Sequence, residues 1–235
     1  MKSDHNSSQI FSLALGLVEP WFVEKVHLSE VEDSSPNKEL HIHINFHKGH
    51  EFVTDDGQKG KGYDTELKTW RHLDFFQHKC FLHARVPRIE LADGKVRQIS
   101  VPWARSGSGF TLLFEAYSML LIESEMPVNK VADCVKVTAP RLWRVFDYWI
   151  ERAKAKDDLS NVCEIGIDET SSKKGHNYVT VFADMAQTNG ILEGINSKIQ
   201  LAKRRARGYR NIKNYMNMIF FTCGKLKFDY PRYAL

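Results

Sequence analysis

Apolar residues recur along the chain with two different periods, and the change between them divides it. From Leu40 to Arg105 the spacing is near two, in ELHIHINF, CFLHARVPRIEL and KVRQISVPW, which is the pattern of strands that bury one face. DDGQKGKG and ADGK interrupt it, and the Asp-Gly of the second is a hairpin signal. A small antiparallel β module over 38–105 is therefore expected. Ahead of it, 1–37 combines an amphipathic segment, QIFSLALGLVEPWFVEKV, with an acidic, Ser/Pro-bearing stretch, EVEDSSPNK, that reads as a linker.

From Gly109 the period becomes helical through FTLLFEAYSMLLIESE, breaks at Pro127, resumes in VNKVADCVK, and resumes again in APRLWRVFDYWIERAKAK. These three helices make a second domain, 106–156. The last two have helix-turn-helix proportions: Pro127 opens a short helix, KVT is the turn, and Pro140 sits near the start of the next. Leu142, Phe146, Trp149 and Ala153 recur at 4, 3, 4 spacing and form one buried stripe. Arg141 and Arg144 then face outward near the N-terminal end, where a recognition helix meets base edges and phosphates. A plain helical hairpin shares this pattern, and Lys136 stands at a turn position where a left-handed backbone favours Gly.

After the polar stretch AKAKDDLSN, a third region over 161–235 opens with two short strands, CEIGIDETS and YVTVF, joined by a hairpin loop. Asp168 lies inside the first strand, where it serves either as a metal ligand or as an edge carboxylate bonding a loop amide. A helix follows from Asn189, with Leu192, Ile195, Ile199, Ala202 and Ala206 at 3, 4, 3, 4 spacing. Glu193 falls in its first turn. There it either complements the helix dipole or helps hold a divalent cation beside a phosphate-binding face.

Composition sharpens this picture in one place. The 235 residues carry a net charge of +4, yet Gly194 to Phe228 holds nine basic residues and no acidic one, so the rest of the chain is net negative. Lys198, Lys203, Arg204, Arg205, Arg207 and Arg210 concentrate that charge beside Tyr209 and Tyr215. Such a run suits a polyanion, double-stranded DNA first among them, or is a solvated helix face. The longest apolar run, TLLFEAYSMLLI, carries Glu115 in its middle and is too short to span a bilayer, and no secretory signal is expected. Cys80, Cys134, Cys163 and Cys223 show neither disulfide density nor a CxxC pair. A cytoplasmic protein with neither a membrane partner nor a small-molecule substrate is the expectation. Cys80 and His83 form C-x-x-H, and His41 and His43 share a strand face with His47 and His50 nearby; these could assemble a Zn²⁺ site or form an exposed strand face and loop.

Taken in order, FSLALGLVEPW, YDTELKTWRHLDFFQHKCFLHARVPR, PWARSGSGFTLLFEA, MPVNKVAD, RLWRVFDYWIERA, IGIDETSSKKGHNYVTVFAD, NGILEGINSKIQLAKRRARGYRNIKNYMNMIFF and CGKLKFDYP resemble the ISL-three family of bacterial insertion-sequence transposases, of the DDE class. The resemblance implies an α+β, multi-domain chain: a zinc-ribbon-like β module, a helix-turn-helix that binds terminal inverted repeats, and an RNase H-like catalytic domain. It implies two Mg²⁺ ions held by three carboxylates, with Asp168 of GIDE as the first and Glu193 of LEGIN as the last. The cysteine pairs that the family's zinc module would place near FVTDDG and in PRIELADG are missing, so that module is degenerate.

Only 25 positions separate Asp168 from Glu193, far fewer than the resemblance implies, and the second aspartate is missing with the intervening strands. Asp184 does not replace it. If the hairpin turns at Lys173 and Lys174, Asp168 pairs near Val179 and Asp184 lies five residues further, about 16 Å away, against the roughly 4 Å of a two-metal site. ADMAQTNG then joins the front of the catalytic domain to its tail, as an in-frame deletion would. The expected product is a transposase-derived, catalytically dead remnant in a bacterial cytoplasm, associated with the nucleoid. Either it binds DNA and inhibits a full-length transposase, or it is a decaying gene product.

Overall fold

The computed structural model describes residues 3–30, 38–91, 94–173, 176–185 and 192–231. The chain is mixed α+β and divides into two compact units, Met1–Ala116 and Tyr117–Leu235.

Unit 1 is built on one six-stranded sheet. Helix α1 (Ser3–Ala14) precedes β1 (Trp21–Glu30), β2 (Lys38–Phe46), β3 (Glu51–Val53), β4 (Lys59–Phe75), β5 (His78–Glu90) and β6 (Val96–Gln98). The strand order is β1-β2-β5-β4-β3, with β6 pairing the far end of β5. All neighbours are antiparallel except β2 and β5, which run parallel in the register Leu40↔Cys80 to Ile44↔Ala84. Two expectations are corrected here. The N-terminal segment of 1–37 does not stand apart from the β module, because Trp21–Glu30 pairs with β2 along its whole length and its Trp21 and Val23 enter the sheet's core, while the expected linker at 31–37 lies outside the described residues. Nor is the module wholly antiparallel, since β3 and β4 intervene in sequence between β2 and β5 and return the chain in β2's direction.

Alternation along these strands separates a dry face from a wet one. Leu40, Ile42 and Ile44 of β2 and Cys80, Leu82 and Ala84 of β5 are buried together with Trp21, Trp70 and Trp103, whose rings meet edge to face at 4.9 and 5.7 Å. His27, His41, His43 and His83 line the other face, stacked at centroid separations of 4.8–5.2 Å, with His41 Nδ1 2.9 Å from His83 Nε2. Close packing of like groups that gain charge together holds His27, His43 and His83 below the ordinary histidine value, burial being the largest cause, and His83 is lowered to about 4.

Near the end of unit 1 a buried polar clamp replaces apolar packing. Glu115, the residue that interrupts the longest apolar run, is fully buried, where it accepts hydrogen bonds from Arg105 Nε at 2.9 Å and Ser108 Oγ at 2.6 Å. His72 Nδ1 lies 2.8 Å from Thr111 Oγ1, and burial pushes His72 down to about 4.

Unit 2 contains most of α2 (Leu112–Glu123), within which the division between the units falls, then α3 (Val128–Cys134), α4 (Ala139–Lys154), the hairpin β7 (Ile165–Lys173) and β8 (Asn177–Asp184), α5 (Leu192–Arg205) and α6 (Ile212–Cys223). The expected stripe of α4 is buried, joined by Val145 and Ile150. The parts of 106–156 and 161–235 that lie in unit 2, expected in separate domains, pack together. Asn217 Nδ2 of α6 donates to Asp147 Oδ1 of α4 at 2.9 Å, Phe146 meets Phe221 at 5.4 Å, and Trp149 meets Tyr230 at 5.3 Å. Arg152 and Lys156 both bond Asp229, which they hold well below the usual carboxylate range.

Helices α2, α3 and α5 are each followed by a non-glycine residue with a left-handed backbone, Glu125, Lys136 and Arg207. At the end of α3, Lys136 has φ 56°, its amide bonds Asp133 O, and the Val137 amide reaches back to Ala132 O at 3.0 Å. Arg207 closes α5 in the same way, with Gly208 N bonding Lys203 O at 2.9 Å. Replacing Lys136 by Gly removes the Cβ strain and is expected to stabilise unit 2 by about 1 kcal/mol, read from urea unfolding with an unchanged m-value.

The histidines set an acid limit on unit 1. His72 and His83 bind protons near 6.5 when unfolded but only near 4 when folded, so the unfolded chain binds more protons between those values and stability falls as pH falls through that window. The melting temperature of unit 1 should drop between about pH 7 and about pH 5, and a flat profile would show these imidazoles to be as free in the fold as out of it.

Candidate nucleic-acid interface

The α3–turn–α4 element is fixed from inside by Val128, Val131, Ala132, Leu142, Val145 and Phe146, all buried, and from the side by Trp143, whose Nε1 donates to Asn129 Oδ1 at 2.9 Å. The bond between Asn129 and Trp143 ties the two helices together and is not apparent from the periodicity of either. The inward anchoring leaves Arg141 and Arg144 exposed on the first two turns of α4, with Arg144 Nε donating to Pro140 O at 3.3 Å.

The basic run splits into two groups. Lys203 is half-buried: its Nζ donates to Ser171 O at 2.6 Å and lies 6.0 Å from the centre of the Tyr215 ring, so it fastens α5 to β7. Arg205 is paired with Glu125 at 2.6 Å. Lys198, Arg204, Arg207 and Arg210 are exposed and make no ion pair among the described residues.

Asp168 sits half-buried on β7, and its Oδ1 accepts the Glu169 amide at 2.8 Å. Two residues along the same face, the buried Thr170 hydroxyl donates to Asn196 Oδ1 at 3.1 Å and accepts from Gln200 Nε2 at 2.7 Å. Glu193 lies one turn before Asn196 on α5, its backbone helical and its side chain outside the described residues. The seam therefore brings the backbones of Asp168 and Glu193 toward one end. Thr170 went unnoticed in the sequence, although its place on the Asp168 face of the strand was a signal.

The hairpin register differs from the expected one. Asp168 pairs with Val181 and Asp184 with Ile165, because the ladder's last pair is Lys173 with Asn177 and a bulge between Ser171 and Lys173 takes up a residue. Asp184 is thus three residues from the partner of Asp168, about 10 Å away at the usual rise per residue, and on the opposite face. It still does not complete the set.

His41, His43 and His83 stand together on the wet face of the sheet, but Cys80 is not brought to them. Cys80 points into the core and His83 onto the histidine face, as residues three apart on a strand must, and burial pushes the Cys80 thiol up to about 12, away from the thiolate that zinc requires. No group of three or more His, Cys, Asp or Glu able to hold a metal occurs among the described residues. For Mg²⁺ the fit is incomplete, with one placed carboxylate, Asp168, and a second position, Glu193, on the adjoining helix. All four cysteines are free. No helix among the described residues is long and apolar enough to cross a membrane.

An α2–α3–α4 element with an outward arginine pair defines a helix-turn-helix protein. Residues 99–150 match the helix-turn-helix domain of transposase family ISL3, and residues 182–219 match that family's DDE transposase domain. The transposase for insertion sequence element IS1557 from two strains of Mycobacterium tuberculosis is 33% identical over 135 residues, covering 54% of this chain and 29% of the relative. Over these two segments the chain is similar to the ISL3 family of insertion-sequence transposases. It spans 29% of the length of these curated relatives. No solved structure matches it.

The division of the basic residues can be tested on stability. Lys203→Met should cost about 1.5–3 kcal/mol, the range for a hydrogen bond from a charged group, whereas Arg204→Met should stay within about 0.5 kcal/mol of the parent in denaturant unfolding.

Proposed function

We propose that this chain is a DNA-binding derivative of an ISL3 transposase that recognises the terminal inverted repeats of an insertion sequence and does not carry out strand transfer. The observation that carries the reading is the coincidence of the helix-turn-helix match with an exposed Arg141 and Arg144 at the opening of α4. A guanidinium there can bond the O6 and N7 of a guanine in the major groove, each such contact discriminating by about 1–3 kcal/mol. Lys198, Arg204, Arg207 and Arg210 supply sequence-independent attraction to phosphates, which salt weakens. Bound in this way, the protein competes with an intact transposase for the ends of the element and collects on the nucleoid.

The family's chemistry uses Mg²⁺ held by three carboxylates, and this chain offers positions for two, Asp168 and Glu193. β8 is joined to α5 through residues 185–191 alone, a connection that fits an internal deletion of the catalytic domain and its central aspartate. With that set unfilled, no cleavage step is assigned to the residues present. What remains of the catalytic domain, a zinc-independent β module and a helix-turn-helix, is a scaffold for binding.

In gel shifts with DNA carrying the parent element's ends, Arg141→Ala with Arg144→Ala should weaken binding at least about tenfold while weakening random DNA less. Arg204→Ala with Arg207→Ala should weaken both DNAs alike and flatten the logarithmic salt dependence by about 2. Equal binding by the parent and the α4 double variant would defeat recognition through α4. Mg²⁺-dependent nicking of end DNA by the chain alone would defeat the assignment of lost chemistry.

A further inference from the structure

The hairpin in unit 2 leaves a sheet edge open. β7 and β8 form a two-stranded sheet, and no other strand pairs with either among the described residues. Its inner face is closed by α5 and α6, since Val179 and Val181 pack on Ile199, Tyr215 and Ile219. The outer face is open: Ile165 and Ile167 are each 61% exposed, Tyr178 53% and Phe182 68%. Two edges are therefore available to another strand, and their chemistry differs.

β7 carries Asp168, Glu169 and Lys173, and an antiparallel copy centred on its middle would set acidic side chains of the two chains against each other. β8 has no formal charge from Asn177 to Ala183 and is almost entirely β-branched or aromatic. Its residue types are also nearly symmetric about Thr180, with valine on each side and an aromatic residue beyond each valine. A two-fold axis through that residue sets Thr180 opposite Thr180, Val179 opposite Val181 and Tyr178 opposite Phe182. The next pair out sets Asn177 opposite Ala183, neither of them charged. Paired positions differ by an even number, so both members of each pair direct their backbone groups the same way and the ladder closes in this register. Opposed side chains share a face, which brings the exposed Tyr178 and Phe182 of two copies together and puts the valines on the helix-covered side.

We infer that β8 is a self-pairing edge and that its occupant is β8 of a second copy of this chain, giving a four-stranded sheet in the order β7-β8-β8-β7. This inference does not depend on the DNA-binding reading. An antiparallel two-fold contact is isologous and closes on itself, so it makes a dimer and not a filament. It also relieves the exposed, uncharged edge, which is otherwise a template for aggregation.

The test exploits Thr180, which is exposed on the outer face, so that its replacement leaves the buried side of the hairpin intact. Sedimentation velocity of the full chain should show a concentration-dependent species of about 54 kDa, twice the 27.1 kDa chain. Thr180→Lys and Thr180→Glu each place like charges across the axis and should each sediment as monomers with unchanged circular dichroism. Mixing the two should restore the doubled mass, because the charges then oppose. A parent that stays monomeric at every concentration, a Thr180→Lys protein that still dimerises, or a mixture that fails to re-associate while both variants remain folded would each overturn the inference.

Discussion

The hydroxyl of Thr170, buried in β7, is the contact on which the C-terminal half depends. It gives its proton to Asn196 and receives one from Gln200, so a single buried group is satisfied as donor and acceptor by two successive turns of α5. Lys203 and Tyr215 add bonds to the Ser171 carbonyl next to it. An isolated two-stranded hairpin is marginal in water, so this polar seam, backed by Ile199 and Tyr215, is what allows the hairpin to persist. α6 passes the support on to α4 through Asn217 and Phe221. The β7–β8 hairpin is thereby tied to α4.

That arrangement divides the basic residues by task. A cation near a carbonyl or carboxylate of its own fold is consumed locally, as Lys203 and Arg205 are. Those on the remaining faces of α5 and in the turn after it keep their charge available. The same seam orders the acidic residues, since Asp168 precedes Thr170 by two positions on one face and Glu193 precedes Asn196 by one turn. Asp184 of the same hairpin is on the other face.

Unit 1 is closed by apolar packing. Long strands with strict alternation give it a core of tryptophans and branched aliphatics, and Cys80, which sequence suggested as a ligand, belongs to that core. Of the histidines that looked like candidate ligands, His41, His43 and His83 stand in a stacked row, where burial first, and the neighbouring imidazoles second, hold His43 and His83 below the ordinary histidine value. Spacing along a strand was enough to find both groups of residues. Their assignment to opposite faces needed the strand to be recognised through His78–Glu90 without a break.

Local pattern alone determined the helices α2, α3 and α4, the stripe that α4 buries, the outward placement of Arg141 and Arg144, the hairpin of β7 and β8, and the break in charge after residue 194. Each of these rests on interactions within a few residues, where the periods of helix and strand act directly. Tertiary structure decided the rest: that Trp21–Glu30 is an edge strand, that β2 and β5 run parallel, which lysine is spent on a carbonyl, and that α4 and the tail pack together. These depend on residues distant in sequence meeting across a sheet or between helices. Periodicity says which side of an element is apolar, but only packing says what that side meets.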